Sequence, residues 1–225
     1  MAWTQTNPYA VYLGWIRSTT DPRWLTRCFA PIGDAIKDSD REIDHLRPDD
    51  DEAYVEAVVD EETEVLEQLL GTAFVLCQTY ITGVVARIVG LHQLHDHRDS
   101  STPLTTTGRT KPEIWAFGGK VGKTPYTGPE IINAFANYSK HGEEWQGAWE
   151  KLAGKNHTVQ IVSVCGARRG STGNLRTGAK LLGNRRFSDT LRFATIVSDW
   201  AKRLASSYQT ELAGRGLIKT RPRVS

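Results

Sequence analysis

Apolar residues recur at intervals of three and four along most of this chain, the spacing of one face of an α-helix. The longest such stretch covers residues 51 to 95 and begins with acidic residues, which suit a helix N-terminus. Its apolar positions are Tyr54, Val58, Val65, Leu69, Leu76, Tyr80, Val84, Ile88 and Leu91. The pattern predicts one long helix that organises the fold.

Helical spacing resumes in four later segments, residues 128–152, 156–167, 172–183 and 188–216. In the last segment Ser188 is a candidate cap for the start of the helix and Gly214 a candidate cap for its end. The β-branched residues 158–165 would also suit a strand, but no strand partner is evident.

Two segments break the helical pattern. Residues 98–127 are rich in Ser, Thr, Gly and Pro and predict a long loop. Residues 1–22 are expected to form an aromatic N-terminal arm, followed by a short helix over 21–36. The fold class predicted is therefore all-α, a single helical domain over residues 1–225 built as a bundle around the long helix.

Composition suits a globular protein with a real core, since the 225 residues are 39% hydrophobic. Cys28, Cys77 and Cys165 are odd in number and lie in apolar surroundings, as reduced core cysteines do in cytoplasmic proteins. The first fifteen residues lack a secretory signal pattern. Residues 68–86 carry no charge over 19 positions, but Gln78, Tyr80 and three threonines favour a buried helix over a membrane span.

Charge is strongly segregated along the chain. Residues 38–67 hold fourteen acidic side chains and two basic ones, whereas residues 151–187 hold eight basic side chains and no acidic one. The basic segment suits phosphate contacts, which makes RNA a candidate partner. Two ordinary solvated faces are the alternative interpretation. The candidate nucleic-acid-binding residues are Arg168, Arg169, Arg176, Lys180, Arg185 and Arg186.

Two further motifs predict little. The stretch GGKVGKT, residues 118–124, lacks the first glycine of a phosphate-binding loop, and Pro125 stands where a helix should open. His92 and His95 share a helical face and His97 follows them, but no third or fourth metal ligand is evident, so a polar helix end is favoured over a metal site. No cofactor is expected.

The stretch FANYSKHGEEW, residues 135–145, groups Asn137, Lys140 and His141 on a helix. Asn137 and His141 are four residues apart and share a face. An imidazole can transfer a proton near neutral pH while a cation stabilises phosphate charge. These three residues are candidate catalytic residues. A purely structural role, with Asn137 and His141 satisfying each other or a neighbouring helix, is the alternative.

The pattern NYSKH near the end of a core helix resembles the HEPN superfamily, whose ribonuclease toxins and defence proteins carry R-N-x-x-x-H at that place. Asn137 matches the motif asparagine and His141 the histidine, while Ala136 stands at the arginine position. The resemblance implies a metal-independent ribonuclease in which two motifs face each other in a dimer. It also implies an alternative, because HEPN-like proteins that lack the arginine serve as non-catalytic partners.

Two hypotheses follow. In the first, the chain is a HEPN-like endoribonuclease of a bacterial toxin or phage-defence system, with His141 as general acid or base and Asn137 orienting it. Lys140 and the basic cluster of residues 168–186 would bind the RNA backbone. In the second, it is a non-catalytic helical module that assembles with itself or a partner protein through its charged halves.

Overall fold

The computed structural model describes residues 7–99, 101–145 and 148–219, and in this part of the chain the fold is an all-α bundle without strands. A short 3-10 turn, Gly142–Glu144, follows the fifth helix. The helices are α1 (Pro8–Thr19), α2 (Arg23–Asp44), α3 (Glu52–Arg98), α4 (Lys111–Trp115), α5 (Gly128–His141), α6 (Trp149–Ala153), α7 (His157–Val164), α8 (Asn174–Leu181) and α9 (Leu191–Gly214).

Helix α3 is the long central helix that the sequence predicts, and it contacts α1, α2, α4, α5, α8 and α9. Asp51 caps its start, accepting hydrogen bonds from the backbone amides of Ala53 and Tyr54. Its first turns are solvated, with Tyr54 57% exposed. Its later turns form the centre of the core. Fully buried side chains there include Leu70, Ala73, Phe74, Cys77, Val84, Ile88 and Leu91.

Among the described helices, only α3 is long and apolar enough to cross a membrane, and 50% of its most apolar window is buried inside the bundle. Neighbouring helices cover this window from several sides. The same length and hydropathy are found in core helices of soluble proteins, so these contacts favour the interpretation of α3 as a core helix.

The N-terminal region differs from the predicted arm. Residues 8–19 form α1, and Asn7 caps it by accepting from the amides of residues 9 and 10. Tyr9, Leu13 and Ile16 recur at helical spacing and are buried. Tyr9 therefore packs into the bundle, whereas Trp15 is 45% exposed, and residues 1–6 lie outside the described chain.

Helix α2 has 22 residues and is longer than the short helix predicted over 21–36. Buried apolar residues line one face, and polar residues extend the helix to Asp44.

The β-branched segment that would also suit a strand forms helix α7, and Asn156 caps this helix. With no neighbouring strand to pair with, these residues satisfy their backbone groups within a helix.

Helix α9 begins at Leu191 rather than after the predicted cap Ser188. Thr190 occupies the N-cap position, but its hydroxyl donates to the carbonyl of Phe29 on α2 at 3.0 Å. The tertiary contact takes the group that would otherwise cap the helix. Gly214, the expected C-terminal cap, is instead the last helical residue; Arg215 occupies the C-cap position, and the positive φ that follows the helix is at Gly216, +70°.

The predicted loop 98–127 contains helix α4 and is fastened to α9. Glu211 accepts hydrogen bonds from the backbone amides and the hydroxyls of Thr105 and Thr106, at 2.6 to 3.1 Å. Arg215 donates to the same carboxylate at 2.7 Å and to the carbonyls of residues 102 and 103. The loop is thus a fixed wall of the bundle.

Residues 118–124 form no phosphate-binding loop. The backbone amide of Val121 donates to the carbonyl of Tyr126 at 2.8 Å, and Lys120 and Thr127 form an isolated bridge. Helix α5 opens only at Gly128, so no helix N-terminus directly follows the GKT sequence.

Candidate functional site

The histidines at the end of α3 are held by structural hydrogen bonds. His95 Nε2 donates to the carbonyl of Thr102 at 2.7 Å, so its Nδ1 can accept from the Tyr9 hydroxyl at 3.1 Å. His92 Nε2 bonds the Tyr208 hydroxyl at 2.7 Å. Burial lowers the pKa of His92, which favours its neutral form. The described residues bring together no group of three or more His, Cys, Asp or Glu side chains that could hold a metal ion.

The position of the motif arginine faces the core. Ala136 is fully buried on α5, in a row with other buried apolar residues of that helix. Five residues separate Ala136 from His141, which places them about 140° apart around a helix at 3.6 residues per turn. A side chain at position 136 therefore points away from the face that carries His141.

His141 lies at the exposed C-terminal end of α5, with half of its side-chain surface accessible. Its Nδ1 is 3.1 Å from Glu144 Oε1 in the following turn. This contact orients the ring and leaves Nε2 available for proton transfer. The side chain of Asn137 makes no hydrogen bond with that of His141 among the described residues; it bonds instead to a residue of α3.

Asn137 and Lys140 meet through Gln78 of α3. Lys140 Nζ donates to Gln78 Oε1 at 2.7 Å. Gln78 Nε2 donates to Asn137 Oδ1 at 2.9 Å and to Asn133 Oδ1 at 2.8 Å. We call these four residues the amide relay. It joins two of the three candidate catalytic residues, while His141 stands apart from it.

The hydrogen bonds of the amide relay can run in only one direction. A lysine ammonium has donors only, so the oxygen of Gln78 must face Lys140 and its amide nitrogen must face α5. That nitrogen donates both hydrogens, so Asn133 and Asn137 must present their oxygens to it. Their own NH₂ groups are then directed elsewhere, and within the described chain they donate to no other residue. All three amide oxygens of the relay accept hydrogen bonds within it, whereas the NH₂ groups of Asn133 and Asn137 have no partner among the described residues.

These donors border a groove of about 620 Å³ between α3, α4 and α5. The volume lies within the range of about 300 to 1,000 Å³ typical of ligand sites. Its lining carries two lysines and no carboxylate. The lining residues are Gln78, Thr82, Val85, Ala86, Val89, Lys111, Trp115, Asn133, Asn137 and Lys140. We call this the relay groove.

A second cleft, of about 720 Å³, has the opposite character. Lys140 borders this cleft as well as the relay groove, and Arg169 and four carboxylates also line it. The acidic lining residues are Glu64, Glu67, Glu143 and Glu144. Repulsion between carboxylates and phosphate makes this cleft a poor site for a nucleic-acid backbone. The relay groove is the better candidate.

The predicted nucleic-acid-binding residues divide into two groups. Glu67 accepts from the amides of Leu175 and Arg176 at the start of α8, and Arg176 Nε donates to the same carboxylate at 3.0 Å. The ion pair with Glu67 therefore gives Arg176 a structural role. Lys180 lies 5.6 Å from the ring of Phe187 and is exposed. The freely exposed arginines are Arg168, Arg169, Arg185 and Arg186.

Sequence reasoning named only Asn137 and Lys140 among the ten residues that line the relay groove. Lys111 and Trp115 lie in the segment expected to be a loop, and their helix is too short for a periodic signal. Gln78 and Asn133 did leave a signal. Gln78 is a polar residue within a 19-residue uncharged segment, and Asn133 precedes Asn137 by one helical turn. A buried amide in an apolar segment needs hydrogen-bond partners on a neighbouring helix.

No protein-family model, curated protein or solved structure matches this chain.

Proposed function

We propose that this protein binds RNA through the relay groove. The observation that carries the proposal is the fixed polarity of the amide relay, which leaves NH₂ donors beside two lysines at a groove without carboxylates. Such a site suits a ligand that is rich in acceptors and negatively charged. The phosphodiester backbone has both properties.

The exposed arginines extend this proposal beyond the groove. Arg168, Arg185 and Arg186 are exposed outside the groove and can contact further phosphates of a bound strand, adding affinity without sequence information, whereas Arg169 lines the acidic cleft. The nuclease hypothesis requires RNA binding, whereas assembly through the charged halves does not, so RNA binding is tested separately from cleavage.

Metal-independent RNA cleavage is a second candidate function, favoured by the contact between His141 and Glu144. With Nδ1 held by the carboxylate, Nε2 can take the proton of a ribose 2′-hydroxyl as the 2′-oxygen bonds to phosphorus. The P–O5′ bond breaks, the leaving oxygen gains a proton from water, and a 2′,3′-cyclic phosphate remains. Lys140 beside His141 would stabilise the phosphate charge.

The binding experiment compares wild type with Lys140→Met, using fluorescence anisotropy and a labelled single-stranded RNA in EDTA. Removing Lys140 removes a cation and also frees Gln78 to reverse its amide, so affinity should fall about tenfold or more, as for loss of a charge-assisted contact. Lys202→Met is the matched control, since Lys202 is an exposed lysine on α9. Equal affinities for wild type and Lys140→Met would contradict binding in the relay groove.

Cleavage is read from the same mixtures on a denaturing gel. His141→Ala should abolish formation of cyclic phosphate ends while leaving RNA affinity within about twofold, because His141 does not line the relay groove. His97→Ala, at an exposed histidine of α3, controls for loss of any surface histidine. If wild type binds RNA and leaves it intact, the non-catalytic HEPN-like partner is the function that remains.

A further inference from the structure

The relay groove changes character along its length. Helices α3 and α5 are antiparallel, since Gly71 lies against Ser139 and Gln78 against Asn133. Gln78 and Lys140 therefore mark a polar end. Eleven residues further along α3, a distance of about 16 Å at 1.5 Å per residue, Val89 marks an apolar end.

The apolar end is walled by Trp115. The tryptophan is half-buried at the end of α4, with its indole nitrogen buried, and it borders the groove together with Val85, Ala86 and Val89. The backbone of Trp115 is fixed, because its carbonyl accepts from the Thr127 hydroxyl at 2.6 Å and its neighbour Ile114 is fully buried. A rigid aromatic wall beside a donor-rich end is the arrangement that stacks a base and holds its phosphate.

We infer that Trp115 forms a base-binding subsite, so that the relay groove takes an unpaired nucleotide of single-stranded RNA. This inference rests on the proposed RNA binding. The phosphate lies at the end with Asn133, Asn137 and Lys140, and the base lies against Trp115. A base in a duplex is already stacked and paired, and it cannot reach the tryptophan without leaving its helix.

Charge alone predicts a different behaviour. Lysines and arginines that contact only phosphates bind duplex and single strand alike and are insensitive to the base. The presence of Trp115 in the groove predicts tighter binding of a single strand than of a duplex, and tighter binding of an intact strand than of an abasic one. It also predicts that these preferences need an aromatic side chain at position 115.

The test measures dissociation constants by fluorescence anisotropy for a ten-nucleotide single strand, its matched duplex and an abasic strand of the same length. Wild type should bind the single strand at least about tenfold more tightly than either alternative, the order of one lost base-stacking contact. Trp115→Leu should lose this preference. Trp115→Phe should keep most of it, because the ring remains and the indole N–H has no hydrogen-bond partner among the described residues.

Trp24→Leu serves as the control, since Trp24 is 41% exposed on α2 and does not border the relay groove. Circular dichroism verifies that each variant is folded, and Trp115→Phe keeps the test valid should Trp115→Leu unfold. Equal binding of single strand, duplex and abasic strand overturns the base subsite while RNA binding stands. Absence of all RNA binding by wild type overturns both.

Discussion

Glu211 should make the largest single contribution to fastening the loop that carries α4, and Glu211→Gln is the change that exposes it. The carboxylate side chain is 11% exposed and accepts five hydrogen bonds, four from Thr105 and Thr106 and one from Arg215. Glutamine offers one acceptor oxygen and turns an NH₂ toward groups that are themselves donors.

The magnitude follows from the pKa of Glu211. Burial alone would raise it, but the hydrogen bonds from Thr106 and Thr105 together outweigh burial and lower the pKa from an ordinary 4.5 to about 2. At about 1.4 kcal/mol per pH unit, the ionised carboxylate contributes about 3 kcal/mol to the free energy of unfolding at pH 7. Because the folded-state pKa is lowered, this contribution is complete above pH 4.5 and is lost as the pH falls toward 2.

Urea unfolding of wild type and Glu211→Gln at a series of pH values measures this directly. The difference in unfolding free energy should be about 3 kcal/mol at pH 7 and should shrink steadily between pH 4.5 and pH 2. Glu56→Gln, at an exposed glutamate of α3, should change stability by less than about 0.5 kcal/mol. A difference for Glu211→Gln that stays constant from pH 7 to pH 2 would refute the reasoning.

Three further changes test other parts of the structure. Burial and the nearby Arg109 lower the pKa of His92, so the unfolded chain binds more protons than the folded one. Wild type should therefore lose stability relative to His92→Gln as the pH falls below about 6.5. The reverse trend in thermal midpoints would contradict this. Gly178→Ala would place a Cβ 2.8 Å from the Phe135 ring and should cost about 1 to 3 kcal/mol in urea unfolding, whereas Gly14→Ala, in open space on α1, should stabilise by about 0.5 to 1 kcal/mol. Ala136→Arg, which introduces the arginine of the motif that residues 137–141 resemble, should cost more than about 4 kcal/mol by burying a charge, and a stable variant on thermal unfolding would show that position 136 does not face the core.

The fold could be predicted from periodicity wherever helices are long. Helix α3 carries its apolar stripe over many turns, so its place at the centre was evident. Short or tertiary-dependent elements were not evident. The expected cap at Ser188 was wrong because α9 begins at Leu191 with Thr190 at the N-cap position. The Thr190 hydroxyl bonds to Phe29, and a contact between residues 161 positions apart leaves no local pattern.

The site could be predicted only in part. The helical spacing of Asn137, Lys140 and His141 was correct, but spacing does not reveal which neighbouring helix each side chain meets. Asn137 and Lys140 turn to Gln78 on α3, whereas His141 turns to Glu144. The direction of a side chain depends on packing between helices, which the order of residues along one helix does not contain.

The most direct test of RNA binding in the relay groove is an NMR titration of wild type with single-stranded RNA, following the side-chain NH₂ signals of Asn133 and Asn137. These groups are the donors that the amide relay leaves free. We predict that both signals shift in a saturable manner, together with the Lys111 and Trp115 signals. Shifts confined to the exposed arginines at 168, 169, 185 and 186, with both asparagine signals unmoved, would contradict the account.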